Sequence, residues 1–373
     1  MQKLTVNIVA FDIPYPAIYG GTIDIFYKLR TLKKTGVNII LHCFEYNKPK
    51  QQELEKYCKQ VFYYPRKKGL RYIFSKLPYI VITRSNRDLI ENLKANNNPI
   101  LFEGLHSCFF LNSEKLKNRR KIVRMHNIEH DYYRGLQKAS KSFLNKFYYF
   151  LESYKLKRFE SVLKTADAII CISNGDQKYF AEKYKNVHYI PAFHPFKEVV
   201  ARLGKGNYFL YHGNLSVEEN IVAANFLLDH VFNKTEEKLV IAGKNPGNTL
   251  AKKIKKNHHA ELVANPSIQR MDELLKKAQG CVLPTFQGTG LKLKLLVSLY
   301  SSRFVIANNL MVENTSLENM CELVDSPEEF IETINKIAKQ EFNQEQLDER
   351  TEKLRLFNNE RNGARLIQII SSL

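Results

Sequence analysis

The chain has 373 residues, 44% of them hydrophobic, which is too long for one ordinary core and fits two domains of about 180 residues each. Its formal charge of +19 lies almost wholly at one end: residues 1–195 hold 34 Lys/Arg against 16 Asp/Glu, and residues 196–373 hold 23 against 22. The halves therefore face different partners. No stretch reaches the roughly 18 apolar residues of a membrane span, and no secretory leader opens the chain, so a soluble or peripherally bound protein is expected. Cys43, Cys58, Cys108, Cys171, Cys281 and Cys321 form no C-x-x-C pair, which predicts reduced thiols in a cytosolic compartment.

Residues 3–11 read as a buried strand, followed by the loop PYPAIYGG, a helix ending at Gly36 and a second strand, VNIILHCF. This βαβ crossover predicts a parallel sheet. Gly20 and Gly21 stand at the mouth of the helix, where backbone can approach a phosphate or sugar, although a plain tight turn fits as well. VFYY, YIVIT, PILFE and KIVRM are further strand candidates. After KIVRM comes HNIEHDYY, dense in titrating groups. His126 and His130 lie at i, i+4, but the H-E-x-x-H spacing and a third ligand are missing, so no metal is expected.

Residues 138–164 mix lysines and arginines with aromatics at helical spacing. The plain reading packs Phe143, Phe147, Phe150 and Leu151 inward and leaves a solvated basic face; the other lays this surface on anionic lipid head groups. ADAIICIS and VHYIP close the first domain, and residues 191–207, with two prolines and two glycines, read as a linker. The alternation then restarts with YFLYHG, KLVIAG and AELVA. Gly213 and Gly243 end the first two of these strands, where a flat or phosphorylated ligand could approach.

The stretch CVLPTFQGTGLKLKLLVSL, 281–299, reads as strand, glycine turn and helix. Such a junction, at the carboxyl edge of a parallel sheet, is where exposed amides and the helix dipole bind anions. Gly288 and Gly290 permit close approach, Thr289 is the expected cap, and Lys294 shares a helix face with Gly290 and Val297. Lys292 falls off that face, and Leu291, Leu295, Ser298 and Leu299 form the apolar stripe. A bare helix cap fits the same residues equally well.

In order along the chain, GG at 20–21, RMHNIEHDYY, SNGDQKYF, HGNLSVEEN, LVIAGKNP and MDELLKKAQGCVLPTFQGTGLKLKLL resemble motifs of the retaining family 4 GT-B glycosyltransferases over roughly residues 5–340. The resemblance implies an α/β fold of two Rossmann-like domains with parallel sheets facing across a cleft. These would be an acceptor domain at 1–195, a nucleotide-sugar domain at 196–345, and a helical tail at 346–373 packing back on the first. It implies a metal-independent hexosyltransferase that moves a sugar, with retention, from a nucleotide-sugar to a glycan or lipid-linked acceptor in surface polysaccharide or glycolipid synthesis. No cofactor beyond the co-substrate is implied.

Carried over by position, His126 would bond the donor sugar and Lys294 would neutralise phosphate. Gly20, Gly21, Gly213, Asn214, Gly243, Gly288, Thr289 and Gly290 would line the donor. Val297 stands where the family usually has a Glu that accepts hydrogen bonds from the ribose, an earlier Glu is replaced near Gln287, and the 213–220 loop lacks the usual Arg and Lys. This motivates an alternative, a catalytically silent GT-B subunit that partners another enzyme. The basic first domain leaves contact with an anionic membrane surface on the cytoplasmic side open beside the plain solvated reading; no nucleic-acid motif accompanies it.

Overall fold

The computed structural model describes residues 3–46, 48–140, 142–286 and 292–373. Gln287, Gly288, Thr289, Gly290 and Leu291 lie outside the described residues. The chain forms two compact units, the first from described residues up to Pro195 together with Leu356–Leu373, the second from residues 196–286 and 292–355.

The first unit holds a seven-stranded parallel sheet of β1 (Thr5–Ala10), β2 (Asn38–Glu45), β3 (Gln60–Pro65), β4 (Ile100–Glu103), β5 (Lys121–Met125), β6 (Ala168–Cys171) and β7 (Val187–Tyr189). Their order is β3-β2-β1-β4-β5-β6-β7. The second holds β8 (Phe209–Asn214), β9 (Leu239–Lys244), β10 (Ala260–Ala264), β11 (Gly280–Leu283), β12 (Phe304–Ala307) and β13 (Glu322–Leu323), ordered β10-β9-β8-β11-β12-β13. β4, β5, β6, β11 and β12 are buried along their whole length, as parallel strands covered by helices on both faces must be. In each sheet the order reverses beside the first strand, between β1 and β4 and between β8 and β11. Ligands collect at such a switch point, beyond the strands' carboxyl ends.

The segment expected as one tail is divided. The helix Gln344–Lys353 belongs to the second unit, where Arg350 Nη1 donates to the Ser302 carbonyl at 2.7 Å. The helix Asn359–Ser372 belongs to the first, where Leu366, Ile369 and Ile370 join the core under β1 and the helix Gly20–Lys34.

Two expectations fail for physical reasons. YIVIT is not a strand: Tyr79–Ile82 is a helical turn, because Pro78 precedes it and the buried Glu152 accepts a hydrogen bond from the Tyr79 N–H at 2.6 Å, satisfying an amide that a helix start leaves orphaned. The helix Phe143–Phe159 does not turn its phenylalanines inward. Phe143, Phe147 and Phe150 are exposed, and Glu152, Ser153 and Leu156 are buried instead. That inner face is set by polar anchors: Glu152 caps Tyr79 and pairs with Lys155 at 2.8 Å, and Ser153 Oγ donates to the His130 carbonyl at 2.8 Å. All six cysteines are free, five of them buried. Among the described residues no helix is long and apolar enough to cross a membrane.

Candidate functional site

At the carboxyl edge of the first sheet a buried ionic cluster assembles from three elements. Asp24 and Lys28 lie one turn apart on the helix Gly20–Lys34, Glu103 ends β4, Arg124 lies on β5, and His126 follows it. Arg124 grips Asp24 with two nitrogens, each at 2.8 Å. Lys28 Nζ sits 3.0 Å from Asp24 Oδ2 and 2.7 Å from Glu103 Oε1. Burial would raise the pKa of both carboxyls, but Arg124 and Lys28 around Asp24, and Lys28 and His126 around Glu103, hold them below the carboxylate range. Both are thus ionised acceptors. It follows that His126 Nε2, 3.0 Å from Glu103 Oε2, carries the proton and donates.

Asp24, Glu103 and His126 place potential ligand atoms within 4.8 Å of one another. A metal ion fits poorly there, because Lys28 and Arg124 already neutralise both carboxylates. His130 does not extend this set; its Nδ1 lies 3.2 Å from Glu160 Oε2.

Beside His126 the Phe11 ring makes edge contact at 5.4 Å between centroids, and it also meets His106 at 5.1 Å. Gly21 is required by this ring: a Cβ there would fall 2.5 Å from Phe11 Cζ, whereas a Cβ at Gly20 would meet nothing within 4 Å. Gly20 therefore borders open space and Gly21 serves packing. Among the described residues, His106 Nδ1, Asn127 Oδ1 and Glu129 Oε1 near this edge lack a hydrogen-bond partner. Glu129 is buried, with Oε1 3.6 Å from His106 Nδ1. Burial raises its pKa to about 8 against a hydrogen bond with Asn127, with a further push from Asp176, while His106 is held well below the usual histidine value by burial and then Arg84. A protonated acid beside a neutral imidazole, both with unused capacity, can bond a neutral polyhydroxy ligand.

At the switch point of the second sheet the groups are cationic. Lys292 caps the helix Leu293–Ser301, and Lys294 lies in its first turn. Lys294 Nζ donates to Asn220 Oδ1 at 2.7 Å and lies 5.3 Å from the centre of the Tyr211 ring. Lys292 Nζ is 3.4 Å from Glu219 Oε1, which also accepts a 2.5 Å hydrogen bond from Thr285 Oγ1. The expected separation of the two lysines fails here. The helix begins only at Leu293, so Lys292 precedes its first turn and its Nζ turns toward Glu219, next to the Asn220 that Lys294 reaches. Burial lowers both lysines, Lys294 to about 8, with Glu219 opposing the shift and Lys292 adding to it at Lys294.

The surrounding frame is hydrogen-bonded through its polar side chains. Thr285 N–H donates to Asn308 Oδ1 at 3.0 Å and Asn308 Nδ2 returns a bond to the Thr285 carbonyl at 2.7 Å. His212 Nε2 lies 2.8 Å from Ser298 Oγ. Gly213 abuts Asn220, whose Nδ2 donates to the Asn214 carbonyl at 2.9 Å. Asn214 Oδ1 accepts from Ser216 within its own turn. The close approach that Gly243 permits is to the chain's own Gly213 carbonyl, paired across β8 and β9. Val297, one turn beyond Lys294, is half-buried.

The structure thus brings Lys294, Gly213 and Asn214 to one sheet edge and His126, Gly20 and Gly21 to the other. Sequence reasoning missed Asp24, Lys28, Glu103, His106 and Glu129 in the first unit, and Glu219, Asn220, Thr285 and Lys292 in the second. Glu103-Gly104 at a strand end and Glu129 inside HNIEHDYY were the available signals.

No protein-family model matches the chain. Over 342 residues it is 27% identical to a Klebsiella pneumoniae protein described as an uncharacterised 44.6 kDa protein in the cps region, covering 87% of this chain and 88% of the relative. Among solved structures it is similar to a glycosyltransferase from Rickettsia africae, with a TM-score of 0.65 at 13% identity, covering 100% and 99% of the two chains. It is also similar to the lipopolysaccharide outer core galactosyltransferase WaaB, with a TM-score of 0.63 at 14% identity over 99% of each chain. With its two parallel-sheet α/β units, the chain has the GT-B glycosyltransferase fold.

Proposed function

We propose that the protein is a retaining, metal-independent glycosyltransferase. It would take a sugar from a nucleotide-sugar and place it on a glycan or lipid-linked glycan at the cytoplasmic face of a membrane, in surface polysaccharide synthesis. The observation that carries this is the gathering of Lys292, Lys294 and Thr285 at the β8–β11 switch point. A departing nucleoside diphosphate accumulates negative charge, and fixed cations aimed at it stabilise the transition state. In the first unit His126, oriented by Glu103, would bond the donor sugar, and Glu129 with His106 would meet acceptor hydroxyls. The similarity to a cps-region protein supports the polysaccharide setting.

Isothermal titration calorimetry with UDP-, GDP- and CMP-sugars tests the donor assignment. Saturable binding of one of them is expected, and no heat at millimolar concentration would sink it. A second reading, a silent GT-B subunit, is favoured by Val297 and by the Glu219 carboxylate lying among the lysines. Val297→Glu discriminates the two: it raises nucleotide affinity if the pocket is a donor site, and has no effect in a silent one.

A further inference from the structure

We infer that the outer face of the helix Phe143–Phe159, with the neighbouring segment around Leu70 and Phe74, docks the protein on an anionic lipid bilayer. This deepens the reading above, which sets the acceptor at a membrane, by naming the face that meets it.

The helix carries its apolar residues on the wrong side for a core. Phe143, Phe147, Phe150 and Tyr154 follow one another at spacings of four, three and four residues, one continuous helical stripe. They are 80%, 56%, 55% and 58% exposed. Glu152 and Leu156, roughly half a turn away, are buried. Leu144 widens the stripe at 78% exposure. The 70–76 segment is tied to the same helix by Lys155 Nζ, which donates to the Ile73 carbonyl at 2.6 Å, and it adds Leu70 and Phe74 at 74% and 87% exposure. Isolated exposed apolar side chains are ordinary; a continuous helical stripe of four large ones, with two more on a segment tied to the same helix, marks an interaction surface.

Charge selects the occupant. Exposed Lys146, Lys157 and Arg158 flank the stripe on its own helix, and Lys67, Lys68, Arg71 and Lys76 surround Leu70 and Phe74. The segment 66–76 contains no acidic residue, and the one acid on the helix, Glu152, is buried and paired with Lys155. A second copy of this chain would bring the same cationic rim against this one and be repelled. A bilayer with anionic head groups offers what both parts need: an apolar layer for Phe and Leu rings and phosphates for the rim, with lysine stems reaching outward. The helix would lie in the interfacial plane, inserted through its aromatic stripe, which needs no membrane-spanning segment.

The test is co-sedimentation of the full chain, with no nucleotide-sugar present, against vesicles of phosphatidylcholine alone and of phosphatidylcholine mixed with phosphatidylglycerol. The expected result is binding to the mixed vesicles, weakened by salt, and reduced about tenfold both in Phe147→Ser/Phe150→Ser and in Lys146→Glu/Lys157→Glu. These positions are exposed, so thermal unfolding of both variants should match the native chain. Absence of binding to the mixed vesicles, or unchanged binding of both variants, overturns the proposal. So does a dimer in size-exclusion chromatography that the phenylalanine variant dissolves, or tight DNA binding that it abolishes. Vesicle binding is read without donor, so its failure leaves the transfer reading standing, and failed donor binding leaves the docking face standing.

Discussion

Glu103 Oε2 accepts a hydrogen bond from His126 Nε2 at 3.0 Å while Lys28 Nζ lies 2.7 Å from its other oxygen, and all three side chains are buried. One carboxylate therefore fixes the imidazole and balances the ammonium. In Glu103→Gln the amide cannot balance Lys28, and breaking a buried pair this way costs about 3–5 kcal/mol. A urea midpoint lowered accordingly is expected, and an unchanged midpoint would remove the network from the account of the fold. The acid side follows from linkage. Asp24 and Glu103 are held below the ordinary carboxylate range, so their stabilisation is present above about pH 4 and drains as pH falls further. Glu103→Gln should flatten that acid slope.

Glu129 has the opposite sign. Its pKa is raised to about 8 by burial, so the folded protein holds a proton that the unfolded chain releases near pH 4. Between those values folding stability falls as pH rises, and above about pH 8 the loss levels off. Glu129→Gln keeps the shape and removes the titration. Its melting temperature relative to the native chain should increase steadily from pH 5 to pH 8; a constant difference would mean that Glu129 is ionised throughout.

These two carboxyls show what the sequence could and could not convey. The alternation of strands and helices was legible because the central strands β4, β5, β6, β11 and β12 are short apolar runs buried on both faces, the mark of a parallel sheet covered by helices. His126 stood out because it directly follows the strand-like run KIVRM, and Lys294 because it sits at the start of the helix after the strand and glycine stretch. The Asp24–Arg124 pair was not, since its members are 100 residues apart and only the β1–β4–β5 order places them together. The Phe143–Phe159 helix was misread for a related reason: its period is consistent with burying the phenylalanines, and the face turned inward is decided by distant partners, the Tyr79 amide and the His130 carbonyl. YIVIT, β-branched and strand-like, became a helical turn through that same Glu152.

Lys294 makes nucleotide binding pH-dependent if it faces phosphate. Burial brings its pKa to about 8, so in the free protein its charge, and with it the affinity for an anion, is lost as pH rises through that value. Calorimetry with UDP or GDP, whichever binds, should show affinity falling between pH 7 and pH 9 in the native chain. Lys294→Arg should remain flat, because a guanidinium stays protonated. Lys294→Ala should lose on the order of tenfold to a hundredfold at pH 7, the worth of one charge-assisted hydrogen bond of about 1.5–3 kcal/mol. Equal affinity of the native chain and Lys294→Ala would rule out the phosphate role.

Glu219 competes for the neighbouring cation, Lys292. Its Oε1 accepts from Thr285 Oγ1 at 2.5 Å and lies 3.4 Å from Lys292 Nζ, so an incoming diphosphate meets a carboxylate of its own sign beside the lysines it seeks. In Glu219→Gln the side-chain oxygen can still accept from Thr285, while the negative charge is gone. Nucleotide affinity should therefore rise, by about tenfold for a relief of roughly 1.4 kcal/mol, and the gain should shrink in high salt, which screens partly exposed charges. Lys292→Ala should lower affinity in both backgrounds. If Glu219→Gln instead weakens binding as much as Lys292→Ala does, the carboxylate acts by holding Lys292 in place, and the polar cluster is organised before the nucleotide arrives.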